Sequence, residues 1–149
     1  MPTRILLREV VDEDLPRFFE HQSDPEASRM AAFPIRDHDS FTAHWARIRR
    51  DETVFIRTIT SDGDVVGYVG SFTRSGERLV AYWIGRERWG QGIATQALAS
   101  FLEQDSTRPL RARVAHHNAA SIRVLEKCGF VLCGSRVEAD VEELVFELK

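Results

Sequence analysis

Apolar side chains recur along this chain in two rhythms, every second residue or every third to fourth, and the switches between them mark its elements. Arg4 to Val10 is leucine-rich and β-branched and predicts a strand, after which Asp12 can cap a helix carrying Leu15, Phe18, Phe19 and Gln22 at helical spacing. Ser23 to Asp37 holds two prolines and few periodic apolar positions, which predicts a loop, one that could wall a substrate site. Phe41, Trp45 and Ile48 then line one helix face behind a possible Ser40 cap. From Thr53 to Thr60 the period falls to two, and Asp62-Gly63 suits a tight turn into a strand from Val65 to Thr73. Ser75-Gly76 offers a second turn into Arg78 to Ile84, so the middle of the chain predicts an antiparallel meander.

Helical spacing returns at Ile93, Ala97, Leu98, Phe101 and Leu102, stops at the Asp105 to Pro109 break, and gives way to a short strand from Leu110 to Ala115. This reads as a strand, helix, strand crossover. Asn118 to Cys128 predicts a helix closed by Gly129, with Phe130 to Cys133 and Glu143 to Leu148 as closing strands. No repeat or linker interrupts the order, and 149 residues with 43% hydrophobic and 29% charged content fit one domain, residues 1–149, around one core.

Lys plus Arg number 20 and Asp plus Glu 23, so the net charge of -3 exerts no global pull on nucleic acid or anionic membrane, and any anion site must be local. No apolar run nears the roughly 20 residues of a membrane span, and no signal segment opens the chain, which makes the expected location cytoplasmic. Cys128 and Cys133 form a C-x4-C spacing without a second pair, and His116-His117 has no ligand partner at metal spacing, so no zinc site is expected. Both cysteines read as buried free thiols.

Candidate chemistry lies in two strings. In the first, Trp83-Ile84-Gly85-Arg86-Glu87-Arg88-Trp89-Gly90-Gln91-Gly92-Ile93-Ala94-Thr95, a strand runs through closely spaced glycines into a helix. Glycines there let the backbone approach a ligand, and the unpaired N–H groups of a first helical turn face an anion such as a pyrophosphate. A plain turn would use the same glycines. The G-x-x-x-x-G-K-S/T loop is absent, and the Rossmann fingerprint fails because Thr95 holds its third glycine position with no acidic residue about 20 positions on. In the second string, Asn118-Ala119-Ala120-Ser121-Ile122-Arg123-Val124-Leu125-Glu126-Lys127-Cys128-Gly129-Phe130, Asn118 and Gly129 also serve as ordinary helix caps.

Taken together, the two strings resemble the GNAT superfamily of N-acetyltransferases, whose acetyl-CoA loop reads Gln/Arg-x-x-Gly-x-Gly/Ala and whose later helix begins Asn-x-x-Ala/Ser and ends in Gly-Phe. Leu6-Leu7-Arg8-Glu9-Val10, Asp12-Glu13-Asp14-Leu15, Asp24-Pro25-Glu26, Trp89-Gly90-Gln91-Gly92 and Asn118-Ala119-Ala120-Ser121 are similar to its RimJ/RimL-type branch. The resemblance implies an α/β (α+β) fold: a mixed, mostly antiparallel central sheet with flanking helices, splayed so that pantetheine lies between two strands. It also implies acetyl-CoA as cosubstrate, met by the backbone of Trp83 and Ile84, the amides of Trp89, Gly90, Gln91, Gly92, Ile93, Ala94 and Thr95, and Asn118 on the pantetheine arm. Arg88 and Arg123 would neighbour phosphate, or remain solvated surface charges.

This sequence departs from the pattern at two positions. Trp89 stands where Gln or Arg is usual, and Leu125 where many relatives carry a tyrosine that serves the departing thiolate, which leucine cannot do. Ser121, one turn earlier, is the available substitute; its hydroxyl could instead bond its own helix backbone.

The implied reaction is direct attack of a neutral amine on the thioester in a ternary complex, without a covalent enzyme intermediate, so Cys128 need not react. No carboxylate lies within Arg78 to Ile84, Glu77 only precedes it, and Glu9, Glu87, Glu138 and His44 stand unranked as general base. Deprotonation at pH 7 costs about 4.6 kcal/mol for a lysine of pKa about 10.4 and about 1 kcal/mol for an α-amine of pKa about 7.8. That favours a peptide or protein N-terminus, or a small amine metabolite. A non-catalytic acyl-CoA-binding or sensing domain on the same fold is the alternative. Nucleic acid and membrane are not expected partners, and monomer and homodimer both stay open.

Overall fold

In the computed structural model, which describes residues 4–149, seven strands form one sheet in the order β1-β2-β3-β4-β5-β7-β6. The chain runs β1 (Ile5–Arg8), a 3-10 turn (Asp12–Asp14), α1 (Leu15–Gln22), α2 (Pro25–Ala31), α3 (His38–Arg50), β2 (Phe55–Ser61), β3 (Asp64–Arg74) and β4 (Glu77–Ile84). A second 3-10 turn (Arg86–Arg88) leads into α4 (Ile93–Gln104), β5 (Leu110–Ala115), α5 (Ala119–Lys127), β6 (Val131–Glu138) and β7 (Val141–Leu148). Every neighbouring pair is antiparallel except β4 and β5, which are parallel and share one bridge, Leu79 to Arg111. The expected splayed, mostly antiparallel α/β sheet is thus the observed one.

The meander follows the two turns read from sequence. Asp62 and Gly63 have φ of 50° and 90°, and Ser75 and Gly76 of 52° and 79°, the left-handed pair that tight hairpins need. Helices α4 and α5 cover one face, where Leu98, Phe101, Leu110, Leu125 and Phe146 join the main core. Phe18 of α1 with Phe41 and Trp45 of α3 make a second cluster, against which Tyr68 of β3 packs.

Four expectations about the elements are corrected, and one about the cysteines. The stretch from Ser23 to Asp37 contains α2, whose N-terminus is capped by the Asp24 carboxylate accepting from the Glu26 and Ala27 N–H groups, with Pro25 in the first turn. Helix α3 is capped by Asp37, not Ser40, whose N–H donates to it at 2.8 Å. Helix α1 starts after a 3-10 turn rather than at an Asp12 cap, and Asp12 instead pairs with Arg49. The last hairpin is longer than expected because Ala139 and Asp140 turn it with φ of 48° and 64°, without a glycine to signal it. Of the two cysteines, Cys128 is half-buried and Cys133 is exposed, so only the first approaches the buried thiol expected.

Asp14, 1% exposed, ties the N-terminal elements together. Its carboxylate accepts two hydrogen bonds from Arg8, one from Thr58 of β2 and one from the Val11 N–H. Burial pushes its pKa up, but these donors outweigh burial and hold it below the ordinary carboxylate value. Because folding lowers this pKa, the contribution is complete above the unfolded value of about 3.9 and is lost as pH falls through the folded one. We therefore expect Asp14→Asn to cost about 2 kcal/mol in urea denaturation at pH 7, with the difference from wild type shrinking below about pH 4. An undiminished difference at pH 3 would remove the charge of Asp14 as its cause.

Candidate functional site

Strands β4 and β5 are held together at one end and apart at the other. At the start of β4, Glu77 accepts from Arg111 at 2.6 Å and from Arg113 at 3.1 Å, both on β5. Beyond the Leu79 bridge the strands part, and a cavity of about 380 Å³ occupies the gap. One wall is Ala27, Met30 and Ala31 of α2, and the other walls come from the end of β4, the start of α4 and α5.

The start of α4 gives the cavity its anion-binding character. Gly90 and Gly92 both have φ of 78°, which permits the tight approach from the 3-10 turn, and no side chain caps the helix. The N–H groups of Gly90, Gln91, Gly92, Ile93, Ala94 and Thr95 meet no acceptor among the described residues. A run of free donors at the positive end of a helix fits a pyrophosphate. A Cβ on Gly92 would find only open space and a distant Gln96 side chain, so the glycine serves its backbone angle and the access it leaves.

Of the residues singled out from sequence, Trp83, Ile84, Arg88, Trp89, Gly90, Gly92, Ile93, Ala94, Thr95, Asn118, Ser121 and Arg123 line this one cavity, and Gln91 does not. Arg88 is shared with Asp64 at 3.0 Å, whereas Arg123 is exposed. Lys127, one helical turn beyond Arg123, adds a third cation that sequence reading passed over. The Asn118 side-chain oxygen accepts the Ser121 N–H at 3.2 Å, so its cap role uses the carbonyl and leaves the amide NH2 available. The Trp89 indole donates to the Ile84 carbonyl at 2.9 Å, pinning the loop to the strand end.

The backbone of Trp83 is not where it was expected. Gly85 donates to the Val66 carbonyl, and the alternation of an antiparallel ladder then turns the Trp83 backbone toward β3 as well. Tyr82 and Ile84 present their backbone groups to the gap. Trp83 meets the cavity by its side chain, whose buried indole N–H has no partner among the described residues.

Tyr82 went unnoticed in the sequence because a tyrosine in a strand usually means packing. Its hydroxyl lies 2.6 Å from the Ser121 Oγ and 3.4 Å from the Ser121 carbonyl, and both residues line the cavity. Burial pushes the Tyr82 phenol up to about 12, partly offset by Ser121. Leu125 is 1% exposed within the core, so no donor comes from that position.

None of the four candidate bases lines the cavity. Glu9 and Glu138 are exposed, the latter paired with Arg136. His44 sits on α3, pulled down to about 4 by burial, Arg36 and Arg47. Glu87 lies 3.5 Å from the His21 Nε2, and His21 is buried below Gly85, where a Cβ would come within 2.6 Å of that nitrogen. Burial lowers the His21 pKa, partly countered by Glu87. Among the described residues no group of three or more His, Cys, Asp or Glu is placed to hold a metal ion, and no helix is long and apolar enough to cross a membrane.

A family model described as acetyltransferase (GNAT) domain matches residues 4–131. No curated protein matches the chain in sequence. Aminoglycoside acetyltransferase AAC(6')-Ib in complex with coenzyme A has a similar structure, with a TM-score of 0.81 and 17% identity over 98% of this chain and 95% of that one. Spermidine N-acetyltransferase from Vibrio cholerae, in complex with CoA and spermine, gives 0.84 and 16% over 97% and 94%. An acetyltransferase from Agrobacterium tumefaciens str. C58 gives 0.81 and 20% over 100% and 95%. At such identities the likeness is one of fold.

The free donors of α4 generate a binding prediction. Acetyl-CoA should raise the melting temperature of the wild-type chain, since a ligand selective for the folded state stabilises it by mass action. Gly92→Val should abolish the shift, because valine is strained at φ of 78° and puts a branched side chain at the mouth of the donor run. A normal shift in a folded Gly92→Val protein would place the phosphate elsewhere.

Proposed function

The chain belongs to the GNAT acetyltransferase family, and from that premise we propose that it moves the acetyl group of acetyl-CoA to a weakly basic primary amine, a peptide or protein N-terminus or a small amine metabolite, by direct attack in a ternary complex. The observation that carries this reading is the continuity of one cavity from the free N–H groups of α4 to the gap between β4 and β5, where the Tyr82 and Ser121 hydroxyls meet. Acetyl-CoA supplies an activated acyl group and a thiolate leaving group. The amides of Gly90, Gly92, Ile93, Ala94 and Thr95, before and in the first turn of α4, hold pyrophosphate, Asn118 offers its amide to the pantetheine arm, and Arg88, Arg123 and Lys127 balance phosphate charge.

Acceptor chemistry is read from the opposite wall. No carboxylate lines the cavity, and the α2 side offers Ala27, Met30, Ala31 and Trp83. A polycation held there would lack counter-charges, so the acceptor differs in kind from the spermine bound by the Vibrio cholerae protein. Phe33 and Ile35, just past α2, stay 54% and 46% exposed and suit an apolar residue beside an acceptor N-terminus. The Asp24-Pro25 cap of α2 and the Asn118 to Ser121 helix start support placing the chain in the RimJ/RimL-type branch, as a single domain.

Cys128 supports the direct route. Its thiol is pushed up by burial and lies 3.7 Å from the Thr95 carbonyl, so little of it is thiolate at neutral pH. Ser121 then serves the departing thiolate through its Oγ, which bonds the Tyr82 hydroxyl.

Thiol release from acetyl-CoA should appear with peptides bearing free N-termini and should be at least about tenfold slower, in kcat/KM, with spermidine or an aminoglycoside. Faster turnover of the polyamines would overturn the acceptor reading. Acetyl-CoA binding with no thiol release from any amine would mark an acyl-CoA-binding domain without catalysis. Separately, Ser121→Ala should lower kcat by at least about tenfold near pH 7, with KM for acetyl-CoA little changed and a defect that shrinks above about pH 8.5, where the free thiolate is stable. A wild-type rate, in an assay limited by chemistry, would remove Ser121 from the reaction.

A further inference from the structure

We infer that Tyr82 is a positioning residue for thiolate departure: by hydrogen bonding Ser121 across the gap, it keeps one hydroxyl proton of the pair directed at the cavity. The inference rests on the acetyl-transfer reading above.

Tyr82 stands on β4 and Ser121 on the first turn of α5, so the two hydroxyls come from opposite banks of the split. Their oxygens are 2.6 Å apart, and both residues line the cavity. A serine in a helix tends to turn its hydroxyl back to a backbone carbonyl. Among the described residues the Ser121 Oγ meets no backbone carbonyl, and the Tyr82 hydroxyl sits against both the Oγ and the carbonyl of Ser121, at 2.6 and 3.4 Å.

Each hydroxyl carries one proton. A pair joined by one hydrogen bond uses one of them and leaves the other free, whichever oxygen donates. Because burial keeps Tyr82 protonated far above neutral pH, the pair holds both of its protons through the working range, and one of them stays free of the Tyr82–Ser121 bond.

Proton balance fixes what the pair does. The amine nitrogen forms a bond to the acyl carbon and sheds one proton; the C–S bond breaks with its electron pair on sulfur. A thiol of pKa about 8.5 is a far stronger acid than either hydroxyl, so neither gives up its proton outright. The pair donates a hydrogen bond to the leaving sulfur, the amine's proton ends on sulfur or in solvent, and both hydroxyls are left as they began. Leu125, in the core, offers no competing donor.

CoA itself is the probe, because it tests the pair without an acceptor amine. Bound to the wild-type chain, its thiol should titrate lower than in Tyr82→Phe by about one pH unit, a tenfold change in thiolate stabilisation, followed by thiolate ultraviolet absorbance. Ser121→Ala should raise it at least as far, and the double variant no further than Ser121→Ala alone. Tyr82→Phe should keep the melting shift with acetyl-CoA while kcat with the fastest peptide amine falls about three- to tenfold and KM for acetyl-CoA holds. An unchanged thiol titration in Tyr82→Phe overturns the inference even if Ser121→Ala is defective. If Ser121→Ala is also unchanged, the Ser121 role falls with it, and if wild-type chain fails to bind CoA, the cofactor reading has failed first.

Discussion

The single bridge between the two parallel strands is the constraint on which the site depends. Had β4 and β5 paired along their length, the backbone groups of Tyr82 and Ile84 would have been satisfied within the sheet, and the gap would not exist. Their parting leaves the Tyr82 backbone and the Ile84 N–H without a strand partner, the Ile84 carbonyl accepting the Trp89 indole instead, and opens a passage from the face covered by α4 and α5 to the face covered by α2. Both α4 and α5 follow the strands that part, so both helix starts, the free donors before α4 and the Asn118-capped turn of α5, converge on the same opening.

A split sheet needs a hinge that does not slip, and charge supplies it. Glu77 bonds Arg111 and Arg113 at the closed end, and Arg111 also bonds Glu147 of β7 at 3.0 Å, so three strands are tied just where pairing stops. Nearby, Asp105 at the end of α4 accepts from Ser71 of β3 at 2.5 Å, and Arg78 of β4 reaches Ser71 at 2.9 Å. Burial raises the Asp105 pKa, but Ser71, Thr107 and the Arg78 charge bring it below the ordinary value, so it stays ionised within that link. Glu77, which the structure makes the first residue of β4, is therefore engaged in the hinge, away from the open end of the strand.

Much of this was legible in the sequence because it is local. Period-two runs around Asp62-Gly63 and Ser75-Gly76 specify the meander, and the glycines before Ile93 specify the helix start, without reference to distant residues. What escaped was set by pairing. Helix α2 is too short and weakly periodic to show itself except through Asp24-Pro25-Glu26, a capping signal read only as part of a resemblance. The turn of the Trp83 backbone toward β3 depends on register with that strand, and the meeting of Tyr82 with Ser121, 39 positions apart, depends on the chain between them folding back across the split. Neither leaves a mark on either residue's own neighbourhood.

The missing base is consistent with this geometry. On the open part of β4, the positions that line the cavity are Tyr82, Trp83 and Ile84, and each holds a large side chain without a carboxylate. In the proposed direct attack, with no carboxylate on the cavity wall, the reacting amine is the fraction already neutral in solution, roughly one in seven at pH 7 for a pKa of about 7.8 and about one in 2,500 for a pKa of about 10.4. The first fraction leaves most of the barrier to be lowered by orientation and by a hydrogen bond to the leaving sulfur. The second adds more than two powers of ten that nothing on the cavity wall recovers, which is the physical ground for proposing a weakly basic acceptor.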